Sequence, residues 1–157
     1  MTESNIMPSL LDKLIDYDPD SSYDKLFPLT RHALMDSIRM DLEALLNSRI
    51  SWLAMPDELG EIHNSILRYG LPDFSSMPFS STDGQQILCS LVQKTIVQFE
   101  PRLSYVTVNI AEDKNPLDRI LKLRIRAICI IDNTEQELVM DSEVEPVSLG
   151  IKLSKAK

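Results

Sequence analysis

The stretch Phe99-Glu100-Pro101-Arg102-Leu103-Ser104-Tyr105-Val106-Thr107-Val108-Asn109-Ile110 is where the chain changes its period. Ahead of it, Leu88, Leu91, Val92, Thr95, Ile96 and Phe99 recur at three- and four-residue spacing and make one apolar helix face. Beyond it, Val106, Val108 and Ile110 alternate with Tyr105, Thr107 and Asn109, which is the period of a strand. Pro101 marks the change. A proline pushes the residue before it out of the helical region, so Glu100 must end the helix.

Working toward the C-terminus, Leu121, Leu123, Ile125, Ala127, Cys129 and Ile131 alternate with Lys122, Arg124 and Arg126 as a second, longer strand. Asp132-Asn133-Thr134-Glu135 reads as a hairpin turn. A third strand runs from about Gln136 to Glu143, and Val147 to Leu153 offers a weaker fourth. Cross-strand charge predicts the register: Arg126 opposite Asp141, Arg124 opposite Glu143 and Lys122 opposite Glu145, with Cys129 facing Leu138 and Ala127 facing Met140 in the core.

Working toward the N-terminus, Thr82 with Gln85 reads as a capping box for the helix that Pro101 ends. Polar, proline-containing residues 75–81 precede it as a loop. Leu34, Ile38, Leu42, Leu45, Leu46 and Ile50 form the apolar face of an earlier helix, with Thr30 as N-cap and Asn47-Ser48-Arg49 and Pro56 at its end. A shorter helix spans about Leu59 to Arg68, and Gly70 with Pro72 stops it. Residues 1–28 read as an extension, in which Ser9 caps a short amphipathic helix carrying Leu10, Leu11, Leu14 and Ile15. So short a helix is marginal alone in water and needs a surface, its own domain's or a partner's. The expected fold is α+β: one domain over 29–157, with helices on one face of an antiparallel sheet of three to four strands.

The composition excludes more than it assigns. A formal net charge of −8 is the wrong sign for neutralising phosphates, so no nucleic-acid binding is expected. Cys89 and Cys129 sit in apolar runs and read as reduced core residues. The N-terminus shows no signal-peptide pattern and no apolar run approaches a membrane span, so the expected location is cytoplasmic. His32 and His63 lack ligand spacing to each other or to a cysteine, so no metal and no cofactor is expected. No phosphate-cradling glycine loop or nucleophile elbow occurs among the four glycines. Glycosidase chemistry needs two facing carboxylates; Glu100 stands between a helix end and a strand, and a second is not identifiable. The expectation is a protein that is not an enzyme.

Four segments together resemble the TssE family, the type VI secretion relatives of a phage baseplate wedge subunit. They are Pro8-Ser9-Leu10-Leu11-Asp12-Lys13-Leu14-Ile15-Asp16, Asp41-Leu42-Glu43-Ala44-Leu45-Leu46-Asn47-Ser48-Arg49, Ser65-Ile66-Leu67-Arg68-Tyr69-Gly70-Leu71-Pro72-Asp73 and Phe99-Glu100-Pro101-Arg102-Leu103. Glu-Pro-Arg is the most specific of these, then Tyr-Gly-Leu-Pro-Asp; Ser48 stands where relatives often carry threonine. The resemblance implies a structural subunit of a baseplate docked at the inner face of the cytoplasmic membrane. Its implied partners are the baseplate proteins TssF, TssG and TssK and the sheath proteins TssB and TssC. It also implies that Glu100, Pro101 and Arg102 contact the TssF–TssG core bundle, and that the sheet templates the first sheath ring by strand addition.

The residues at the corner suit that role. Pro101 removes backbone freedom before binding, and Glu100 and Arg102 offer an acceptor pair and a guanidinium fork. On this reading the partner-binding set is Glu100, Pro101, Arg102, Leu10, Leu11 and Leu14, and Arg102→Ala weakens assembly without unfolding the chain. The competing reading of Glu100 and Arg102 is an internal salt bridge closing the same corner. Three other functions share the fold or the inventory: a phage-tail wedge subunit, an anti-adaptor regulator and a lysozyme-like hydrolase.

Overall fold

The structure is a computed structural model that describes residues 9–14, 19–20, 30–51, 60–78, 81–111, 121–131, 134–145 and 150–155, the side chains of Leu11 and Lys155 excepted. Ile15, Pro56, Leu59, Asp132, Asn133 and Pro146 lie outside the described residues.

A short helix α1 (Leu10–Leu14) comes first. Ser9 caps it through a reciprocal pair: Asp12 N donates to Ser9 Oγ and Ser9 N to Asp12 Oδ2, each at 3.1 Å. Helix α2 (Arg31–Asn47) begins at Thr30, whose hydroxyl accepts from Ala33 N, and its apolar stripe of Leu34, Ile38, Leu42, Leu45 and Leu46 is buried. The expected helix at 59–68 is two pieces, α3 (Gly60–His63) and a 3₁₀ turn (Ile66–Arg68), because Ser65 stops one and caps the other. Helix α4 (Thr82–Phe99) is capped by Ser81 and not by Thr82: Gly84 N donates to Ser81 Oγ at 3.1 Å, which moves the start back by one residue.

The four strands β1 (Leu103–Ile110), β2 (Leu121–Ile131), β3 (Thr134–Val144) and β4 (Ile151–Lys155) form an antiparallel meander in that order. The helix-then-sheet α+β arrangement is as the sequence suggests. The fourth strand starts later and ends later than 147–153. Helix α4 lies against β1, and α2 lies against both β4 and α4. The inward side chains of all four strands meet the helical stripes in one core, which includes Phe74, Leu88, Ile96, Ile125, Met140 and Ile151.

The β2–β3 register is not the expected one. Arg126 stands opposite Val139, not Asp141; Arg124 faces Asp141, Lys122 faces Glu143, Ala127 faces Leu138 and Cys129 faces Gln136. The strands have slipped by two residues, with Ile131 paired to Thr134 at the closed end. A slip of two keeps every side chain on its own face, so the apolar and charged faces survive it. It also keeps two of the ion-pairing rows. Arg124 grips Asp141 through Nε at 2.7 Å and Nη2 at 3.1 Å.

Asn47, at the end of α2, binds the outer edge of β4. Its Nδ2 donates to Ile151 O at 2.8 Å and its Oδ1 accepts from Ile151 N at 2.9 Å. The side-chain amide thereby takes the place of one residue of a further strand, tying helix to sheet and occupying the first outward position of that edge.

Candidate functional site

Pro101 ends α4 as its ring geometry requires, and the chain turns there into β1. The turn brings Arg102 back over Glu100. Arg102 Nε donates to Glu100 Oε1 at 2.7 Å and Nη2 donates to Oε2 at 2.6 Å, while Arg102 N reaches Oε1 at 3.2 Å. Nη2 also donates to Asp41 Oδ2, on α2, at 2.5 Å. The Arg102 side chain is 13% exposed, Glu100 6% and Asp41 28%. Burial works against the charge on Arg102, but the hydrogen bonds and negative charge of Glu100 and Asp41 outweigh it and raise the guanidinium pKa above its ordinary value. Arg102 Nη1 is buried and has no acceptor among the described residues.

The intrachain salt bridge is therefore formed, and it consumes both oxygens of Glu100. What the corner shows to solvent is Pro101, with Asp41 half-buried beside it. Asp41 carries a role the sequence reading did not give it. It lies one helical turn from Ser37, at the border of the apolar stripe of α2, and that border position was the available signal.

The N-terminal helix reaches the same corner. Ser37 Oγ donates to Asp12 Oδ2 at 2.5 Å, anchoring α1 on α2 one turn from Asp41. Burial opposes ionisation of Asp12, yet the bonds from Ser37 and Ser9, with the nearby charge of Arg102, hold its carboxyl below the usual range. Leu10 and Leu14 remain 75% and 73% exposed in this docked helix. Of the six expected partner-binding residues, the structure thus places Leu10 and Leu14 on the surface, Pro101 exposed, and Glu100 and Arg102 inside the ion-paired corner.

The third segment closes the group. Gly70 adopts φ 111°, and a Cβ built there would sit 2.5 Å from Ser48 O. That close approach lets Leu71 N donate to Ser48 O at 2.9 Å and Ile50 N donate to Leu71 O at 3.0 Å. Arg49 lies 4.8 Å from the centre of the Phe74 ring, and Tyr69 meets Phe99 edge-on at 5.4 Å. The described residues of all four segments therefore converge around one corner of the fold, although they are far apart along the chain.

Burial here has a pH consequence. Burial raises the pKa of Tyr69, with Asp41 and Glu100 adding to it; burial also raises Cys89 and Cys129, Glu100 reinforcing and Arg102 opposing the effect at Cys129. The native chain keeps these protons after the unfolded chain has released them, so stability falls as pH rises. A urea midpoint that declines from about pH 8.5, where unfolded thiols ionise, through about pH 10, where unfolded tyrosine does, is expected. A flat midpoint over that range would contradict the assignment.

Among the described residues no group of three metal-ligating side chains occurs, and no helix is long and apolar enough to cross a membrane. In comparisons with known proteins, residues 32–134 match the family model described as baseplate wedge protein gp25. No curated protein and no solved structure matches.

Proposed function

The chain belongs to the baseplate wedge protein gp25 family, and from that premise we propose that it is a non-catalytic wedge subunit of a type VI secretion baseplate, using the corner around Pro101 to join the TssF–TssG core bundle. The family itself implies a structural role among other baseplate proteins. The observation that carries the finer reading is the convergence just described. Four separate segments build one rigid corner, and it presents Pro101, Leu10 and Leu14 to solvent. An ion-paired guanidinium braces the corner from within, so little freedom is left to lose on binding. The exposed Leu10 and Leu14, on a helix anchored to α2 through Asp12 and Ser37, offer apolar surface for a partner to cover. Glu100 is committed to Arg102 on both oxygens, which leaves it poorly placed for general acid catalysis and favours docking over hydrolysis.

Contact with TssK and with the sheath proteins TssB and TssC, in the cytoplasm, belongs to the same proposal. Glu145 N donates to Gly150 O, so the odd-numbered residues of β4 turn their backbone groups outward. Asn47 takes Ile151, and Leu153 and Lys155 remain for a sheath strand. On the opposite edge, Ala111 N donates to Lys122 O, which turns the backbone groups of Val108 and Ile110 outward while their side chains stay on the core side. A phage-tail wedge subunit would use the same surfaces.

The test is co-purification with the TssF–TssG pair. Leu10→Glu, Leu14→Glu and Pro101→Glu, combined in one chain, are expected to weaken capture at least about tenfold. The thermal midpoint should stay near wild type, since all three positions face solvent. Undiminished capture would remove this surface from the interface.

A further inference from the structure

The face of the sheet turned away from the helices is divided into two unlike halves. Toward the open ends of β2 and β3 its charges are matched: Lys122 faces Glu143, Lys152 faces Glu143 from the other side, and Arg124 holds Asp141. Toward the closed end the pattern changes. Glu137 stands opposite Ile128 and Glu135 opposite Ile130, so neither carboxylate has a cation directly across the ladder. Ile130 is 60% exposed.

Beside this half, β1 does something costly. Its pairing with β2 shifts between Ser104 and Thr107, and within that bulge Tyr105 takes φ 51°. A bulky residue in left-handed backbone is strained, and such strain persists where the residue's position serves a purpose. Bulges re-aim side chains, and this one leaves the Tyr105 side chain 80% exposed over the outer face. On the inner face the same bulge lets Leu103 and Val106, three residues apart, both enter the core; on the outer face it sets the Tyr105 ring over β2. Below the ring is a shallow hollow of about 320 Å³ lined by Tyr105, Arg126, Ala127, Ile128, Glu135 and Glu137.

We propose that this hollow is a second docking surface, for a protein segment in which aliphatic side chains alternate with arginine or lysine. The aliphatic groups would cover Ile128 and Ile130. The cations would meet Glu135 and Glu137 and the face of the Tyr105 ring, to which a guanidinium is attracted. Two carboxylates stand there against one guanidinium, Arg126, so the surface favours a basic partner. A second copy of this chain would bring carboxylates to carboxylates. The proposal is independent of the corner at Pro101 and of the wedge reading.

The experiment uses the isotope-labelled full chain and two short peptides, one alternating leucine with arginine and one alternating leucine with glutamate. The basic peptide is expected to shift the amide signals of residues 105, 128–130 and 135–137, with affinity falling as salt rises. Tyr105→Gly should weaken it about tenfold, the scale of one lost aromatic contact. The same change relieves the backbone, so the thermal midpoint should hold or rise; Tyr105→Asn, which tolerates that backbone, serves as the second variant. Glu135→Gln with Glu137→Gln should remove most of the salt dependence. Equal binding of the acidic peptide, shifts confined to other surfaces, or unchanged affinity in both tyrosine variants would overturn the proposal. So would a lowered midpoint in both, since that would make Tyr105 a brace for the sheet, or self-association of the chain through this face.

Discussion

Arg102→Ala is expected to destabilise the chain by about 3–5 kcal/mol, because it strands a buried carboxylate. The Glu100 side chain is 6% exposed and gives both oxygens to Arg102. With the guanidinium gone, Glu100 has neither water nor a counter-charge, and Asp41 loses its bond across to the corner. This reverses the expectation that the substitution leaves the fold intact, and the reason is burial: an exposed Glu–Arg pair would have been nearly neutral. Urea denaturation at neutral pH measures the loss. The combination of Glu100→Gln with Arg102→Met should recover most of the stability, since a neutral amide and an apolar side chain are less costly to bury than one unpaired charge. A single Arg102→Ala chain as stable as wild type would show that the triad contributes nothing to folding.

The second large effect is expected at Gly70. Gly70→Ala should cost about 3 kcal/mol, combining left-handed strain with overpacking. At φ 111° an alanine is strained whatever the space, and here the space is absent: its Cβ would lie 2.5 Å from Ser48 O. That oxygen cannot easily retreat, because it accepts from Leu71 N while Ile50 N donates to Leu71 O. The substitution forces Tyr69-Gly70-Leu71 away from the end of α2, taking with it the Tyr69 contact on Phe99. Gly60→Ala is the control, since a Cβ there meets nothing within 4 Å. It should leave the urea midpoint unchanged or slightly raised. Equal effects at the two glycines would refute the account of Gly70.

Much of this was legible in the sequence because periodicity is a local signal. The stripes of α2 and α4 and the alternation in β2 can be read within a dozen residues, and Pro101 dates the change of period to one peptide bond. The register was not legible, for a definite reason. Lys122, Arg124 and Arg126 repeat every second residue, as do Asp141, Glu143 and Glu145, so two registers two residues apart both match charges and both keep the core face. Only the closed end separates them, where Thr134 joins the strand opposite Ile131. The corner was half legible. Glu-Pro-Arg announced a junction, but the bond from Arg102 to Asp41 spans 61 residues, and no local pattern reports it. Asp12 was readable as part of an N-terminal turn and not as an anchor on Ser37, for the same reason. Tyr105 appeared as an ordinary outward strand residue; the bulge that strains it is a property of pairing, which alternation does not encode.

The central claim is that the corner at Pro101 is a docking point, braced from inside and met from outside. Pro101→Cys gives a direct reporter, because Cys89 and Cys129 are buried and burial raises their pKa values, so both react slowly with maleimide. In the free chain the new thiol should be modified quickly. Adding the purified TssF–TssG pair should slow that modification at least about tenfold, as a contact that excludes solvent would. An unchanged rate in an assembly that still contains the chain would show that the partner binds elsewhere.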